Sequence, residues 1–162
     1  MSTTPPEVLY ERDFYAWTQR QAKELRRLAR TRPNLPLDLK HIAEEIRDLG
    51  KSERDTVFSL AQRIIEHFLL MQCSPATGQR RHWADEIDEF RDQIERKLSP
   101  TIRRQLKRQL TDVFARARRR VQRKMRRYGE NQAAAALPLE CPYTIEQVLG
   151  DWFPDDECGG AG

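Results

Sequence analysis

The chain has 162 residues, of which 38% are hydrophobic and 33% charged, with a formal net charge of +4. That length fits one domain of about 100–200 residues with a single modest core. The longest strongly apolar run, Phe68-Leu-Leu-Met71, is far too short for a membrane span, and seven glycines with no alternating Val/Ile/Thr runs argue against a sheet.

Residues 1–9 read as a disordered lead. The opening Met-Ser-Thr-Thr-Pro-Pro-Glu has neither the basic nor the apolar part of a secretory signal. The first expected helix runs from near Tyr10 to Arg30, with a stripe of Tyr10, Phe14, Trp17, Gln21, Leu25 and Leu28. Pro33 and Pro36 break it, because proline lacks the helix N–H.

The second helix starts near Asp38 and runs to Gln72. Its apolar residues Leu39, Ile42, Ala43, Ile46, Leu49, Val57, Leu60, Ile64 and Phe68 hold one helical phase. Gly50 could close one helix before a cap at Ser52. The unbroken phase favours a continuous helix, with Gly50 on the inner face where a neighbour approaches closely.

Ser74 to Gly78 reads as a turn. The third helix covers about Arg80 to Leu98, with Trp83, Ile87, Phe90, Ile94 and Leu98 in phase. Ser99-Pro100 is a restart, with serine as cap and proline in the first turn. The fourth helix then runs to Arg127 on Ile102, Leu106, Leu110, Val113, Ala117, Val121 and Met125, and Tyr128-Gly129 ends it. Ala133 to Ala136 adds a turn of helix. Thr144 and Gln147 form a capping-box pattern for a short helix, and Trp152 and Phe153 are apolar enough to clasp it onto the core. The expected fold is all-α: an antiparallel bundle of about four long helices plus a C-terminal helix and clasp. It forms a single domain over residues 10–154, with a disordered tail at 155–162. Trp17, Trp83 and Trp152 are expected to share one aromatic cluster.

Four blocks carry a family resemblance: Tyr10 to Trp17, Leu37 to Arg54, Phe68 to Gln72 with His82-Trp83, and Cys141 to Val148. Together they resemble the bacterial family known as domain of unknown function 29. The resemblance implies a compact helical bundle, assigns no activity and supplies no catalytic residues.

The residues themselves offer three kinds of chemistry. Between Thr101 and Arg127 stand 12 Lys/Arg and one acid, a local charge of +11 in a chain otherwise at −7. Projected on the fourth helix, Arg108, Arg116, Arg119, Arg123 and Arg126 lie opposite or beside the apolar stripe and form a ridge able to track a phosphate backbone or an acidic partner. The alternative is that carboxylates of the second and third helices neutralise them. Arg120 and Lys124 project towards the apolar side, where each needs an acidic partner or an exposed helix end. No aromatic residue interleaves with the arginines before Tyr128, which disfavours single-strand stacking.

His41 and Glu45 share a helix face, and His67 and His82 flank the following turn. These are the only candidates for a metal centre, which needs three or four converging ligands. There is no Glu-x-x-His pair, no nucleophile elbow and no phosphate-binding glycine loop. Three cysteines without a Cys-x-x-Cys pair suggest reduced thiols and a cytoplasmic protein.

The reading is a non-enzymatic protein-interaction module without a cofactor, pairing with a protein partner or its own copy and not with a membrane. Nucleic-acid binding through the arginine-rich helix is the first alternative, and a metal-dependent helical-bundle enzyme the second.

Overall fold

A computed structural model describes residues 4–155. The described residues form eight α-helices, one 3-10 turn and no strand. The helices are α1 (Pro6–Arg12), α2 (Phe14–Thr31), α3 (Leu39–Cys73), α4 (Arg80–Glu95), α5 (Pro100–Arg108), α6 (Leu110–Arg127), α7 (Asn131–Ala136) and α8 (Ile145–Leu149). They gather into two compact units. The first reaches to Val57 and includes Lys97–Gln105. The second comprises Phe58–Arg96 and the chain from Leu106 onward.

Two of the four expected long helices are each a pair. Helix α1 begins at Pro6, inside the stretch read as a lead, because proline is tolerated in the first turn of a helix. It stops at Asp13, whose side chain accepts from the Ala16 N–H at 3.0 Å and so starts α2. The α5/α6 break falls at Gln109, which has φ −103° and ψ 11° and makes no side-chain cap. The sequence carries no signal there, since the apolar stripe passes through it.

In the first unit α3 is continuous through Gly50, and the glycine sits buried against Thr18 of α2. Leu39 and Ala43 are buried on that side. Ile42 and Leu49, read from their phase as core, are instead exposed, Leu49 by 56%. The covered strip of this part of α3 is narrower than its apolar stripe. Asp13 joins the N-terminal helices to the 97–105 segment, accepting from the Thr101 N–H at 2.9 Å. Ser99 starts α5 by accepting from the Ile102 N–H at 3.3 Å. Lys97 pairs with Glu53 at 2.8 Å.

The second unit holds a denser core. Ile64, Ile65, Phe68 and Leu69 of α3 are fully buried, as are Ile87 and Ile94 of α4, Phe114 and Met125 of α6, and Ile145 of α8. Helix α6 ends in a Schellman motif. Gly129 adopts φ +77°, its N–H donates to the Arg126 carbonyl, and the Glu130 N–H donates to the Met125 carbonyl. Helix α8 is closed by the reciprocal Thr144–Gln147 capping box that its sequence announces.

Arg91 fastens the C-terminal clasp. Its guanidinium donates to the carbonyls of Val148 at 3.2 Å, Gln147 at 2.9 Å and Trp152 at 2.6 Å, and lies 4.9 Å from the Phe153 ring centre. Burial lowers its pKa, opposed by Asp88 and Asp151.

The tryptophans are divided between the two units. Trp17 packs with Tyr10 and Phe14 in the first unit, whereas Trp152 meets Phe68 and Tyr143 in the second. Of the cysteines expected to be reduced, Cys141 is a free thiol, whereas Cys73 departs from expectation and is disulfide-bonded. The tail expected to be disordered lies, from residue 156 on, outside the described residues.

Candidate anion-binding surface

Helix α6 presents its cations because its core side is fixed by other residues. Val113, Phe114, Ala117, Val121 and Met125 are buried. At about 100° per residue the arc opposite them runs through Arg116, Arg119, Arg123 and Arg126. These four, and Arg108 at the end of α5, are all exposed. Among the described residues none of the five has a carboxylate within the 4.0 Å of an ion pair. Among the described residues the acids of α3 and α4 are engaged elsewhere or face solvent, and none of them pairs with these five arginines.

Arg120 fares differently. It reaches Glu66 of α3 at 3.6 Å, and Glu66 also accepts from Gln62 at 2.9 Å. This is the acidic partner that its position on the helix required. Arg118 turns away from the ridge and donates to the Pro138 carbonyl at 2.8 Å, tying α6 to the loop after α7.

Two concavities flank these cations, both within the second unit. A shallow groove of about 520 Å³ is lined by Arg116, Arg119, Arg120 and Arg123 together with Gln62 and Gln122. A larger cleft of about 1040 Å³ lies among α3, α4 and α6. It shares Arg120 and Arg123 with the groove and adds Lys124 and Arg127.

The histidines separate. His41 is on the exposed start of α3 in the first unit, 2.5 Å from the Asp38 carboxylate, which raises its pKa. Glu45 is exposed on the same helix. In the second unit His67 and His82 meet at Glu86: the His67 Nε2 stands 2.5 Å from Glu86 Oε2 and the His82 Nε2 stands 3.7 Å from it. The His67 hydrogen bond holds the Glu86 carboxyl below its ordinary range against the opposing push of burial, with smaller help from His82 and Arg63. His67 is itself buried, and its Nδ1 has no hydrogen-bond partner. Among the described residues no group of three or more His, Cys, Asp or Glu is arranged to hold a metal ion. Of the four residues proposed from sequence as ligands, His41 and Glu45 belong to the first unit, and His67 and His82 come together at Glu86 in the second.

Sequence reasoning singled out the ridge and the acids of the third helix, Glu86 among them, but not Gln62, Arg63 or Arg127 as neighbours, nor the contact of Glu86 with His67. Glu86 lies 19 positions from His67, and no spacing rule links residues on separate helices. Among the described residues no helix is long and apolar enough to cross a membrane.

No curated protein matches the chain. A crystal structure of an alpha-helical protein of unknown function from Rhodospirillum rubrum is similar to it. That protein is 28% identical, the match covers 90% of this chain and 91% of that one, and the TM-score is 0.77. The likeness extends the all-α architecture to a second protein without adding an activity. The model of the family described as Domain of unknown function DUF29 matches residues 9–153, nearly the whole chain, and the protein belongs to that family.

Proposed function

We propose that the protein is a non-enzymatic binding module whose α6 arginine face takes a nucleic-acid phosphate backbone. The observation that carries this reading is that Arg108, Arg116, Arg119, Arg123 and Arg126 are all exposed and, among the described residues, have no carboxylate partner. Arg116 to Arg126 extends about 15 Å along the helix, a length over which duplex DNA carries roughly one charge every 1.7 Å of axis. Arginine forks suit phosphate oxygens, and contacts of this kind read no sequence.

The test is fluorescence anisotropy of a random-sequence DNA duplex and an RNA duplex over a salt series. The expected result is binding that weakens linearly in log–log form, losing close to one unit of slope per phosphate contact removed. Arg116→Glu with Arg119→Glu should abolish it while the helical circular dichroism is unchanged. Absence of binding at low salt refutes the reading.

A second reading, a protein partner or a second copy docking on the first unit, draws on the exposed Ile42 and Leu49 of α3. Light scattering over a concentration series tests its self-association form. A monomer at every concentration removes that form.

A further inference from the structure

We infer that the cleft among α3, α4 and α6 is a binding site for a small polyphosphate-bearing anion, sharing Arg123 with the outward arginine ridge and adding Lys124 and Arg127.

Charge within the cleft is the first argument. Its walls carry three acids, Glu66, Glu86 and Glu130. Two of them are already engaged: Glu66 by Arg120 and Gln62, and Glu86 by His67 and His82. Arg123, Lys124 and Arg127 also line the cleft, and among the described residues none of them has a carboxylate partner. With Arg63, which also lines the cleft without an ion pair among the described residues and lies over the Phe90 ring, four cations line it, and Glu130 is the one acid not occupied by a partner described here. Like-charged groups converging on one concavity repel each other, and an anion that bridges them removes that repulsion.

Shape is the second argument. A volume of about 1040 Å³ sits at the upper end of ordinary ligand sites, which run to about 1,000 Å³. A single phosphate would leave most of it to water, whereas a chain of linked phosphates spans the row from Arg127 to Arg123. The residues are also positioned by firm structure. Val121 and Met125, buried on the same helix as these cations, hold α6 in rotation. The Schellman turn at Gly129 fixes its end just past Arg127.

The polar lining supports the same ligand. His67 and His82 also line the cleft and are held on Glu86, so that carboxylate is already occupied. Tyr128 lines the cleft beside Arg127 and is 69% exposed, leaving its ring face open. A nucleoside polyphosphate would use that ring, and an inorganic polyphosphate would not.

Isothermal titration of the full chain with inorganic tripolyphosphate, and separately with ATP, tests the inference. Saturable one-to-one binding of tripolyphosphate is expected, weakened about tenfold or more by Lys124→Ala with Arg127→Ala, as loss of charge-assisted contacts implies. The charge-matched pair Arg104→Ala with Lys107→Ala lies outside the cleft and should leave binding unchanged. Tighter binding of ATP that returns to the tripolyphosphate value in Tyr128→Ala identifies the ligand as a nucleotide, and equal binding identifies the phosphate chain alone. No heat with either probe at millimolar concentration overturns the site. Equal weakening by both double variants also overturns it, since net charge would then explain the binding. The substituted side chains are exposed, and unchanged thermal melting certifies the fold. Duplex binding is lost through Arg116 and Arg119, which line the groove and not the cleft, so either proposal can fail while the other stands.

Discussion

Gly50 and Thr18 are in such close approach that α2 leaves no room on α3 for even a methyl group: a Cβ built on Gly50 falls onto the Thr18 hydroxyl. That hydroxyl is fully buried and donates to the Tyr15 carbonyl at 2.7 Å, so it does not swing aside freely. Glycine in a helix interior costs up to about 1 kcal/mol relative to alanine. Here the steric requirement outweighs that cost.

Gly50→Ala is therefore expected to destabilise the protein despite its better helix propensity. Overpacking typically costs about 1–3 kcal/mol, more than propensity returns. Adding Thr18→Ala removes the clashing hydroxyl and should recover much of the loss. Urea unfolding of the four species of the double-mutant cycle measures the coupling. Additive effects would show that the two residues do not meet.

Asp13 anchors two segments with one carboxylate, and Asp13→Ala should cost about 1–2 kcal/mol by loss of the α2 cap. The pH dependence follows from the same contacts. Burial by itself raises its pKa, but hydrogen bonds from Ala16, Thr101 and Ser99 outweigh it and hold the value below the ordinary one. A depressed folded-state value means stability that is present above the unfolded value and lost as pH falls through the folded one. Wild type should lose stability on acidification below about pH 4, and Asp13→Asn should lose less over the same window. Parallel curves for the two proteins would count against this account.

Arg91→Ala should release the C-terminal clasp. Hydrogen bonds to a charged group are worth about 1.5–3 kcal/mol each, but the freed carbonyls can turn to water, so the expected loss is about 3 kcal/mol rather than the full sum. Hydrogen exchange should rise selectively over residues 145–153, and limited proteolysis should cut there first. Arg91→Lys keeps the charge but not the fork, and should lie nearer Ala than wild type.

His67→Phe tests the contact with Glu86. The ring can keep its edge contact with Phe90, 5.5 Å away, but leaves Glu86 without its hydrogen-bond donor. The Glu86 carboxyl should then titrate at a higher pH than in wild type, readable by carbon NMR of labelled glutamate. An unmoved titration would mean that the two side chains are apart in solution.

Much of this fold was legible because its signals are local. Ser99-Pro100 and Thr144–Gln147 announce helix starts within a few residues, and Gly50 on the inner side of an unbroken phase announced the close approach. The breaks at Asp13 and Gln109 were not legible. Asp13 is one acid among several in its stretch, with alanine and not glutamate three positions on. Gln109 makes no side-chain cap at all. Periodicity also over-read α3, since it reports which residues could be covered and not how much neighbour there is to cover them. Ile42 and Leu49 are the result. In the candidate site the ridge was visible as charge on a helical projection, and so was the need of Arg120 for an acid. Arg91 and Glu86 were hidden among the many charges of α4. Their roles depend on partners 57 and 19 positions away, Val148 and His67.

The chain passes between its two units three times, after Val57, after Arg96 and after Gln105. Neither unit is then a contiguous stretch of gene. A single cut leaves at least one unit broken, so neither can be duplicated, lost or fused to another protein on its own. Two-piece complementation is the natural way to probe this, with a nick in the loop after Cys73 and co-expression of the halves. Each half would carry parts of both units, so folding and reassembly should be one event, with no half accumulating as a finished domain.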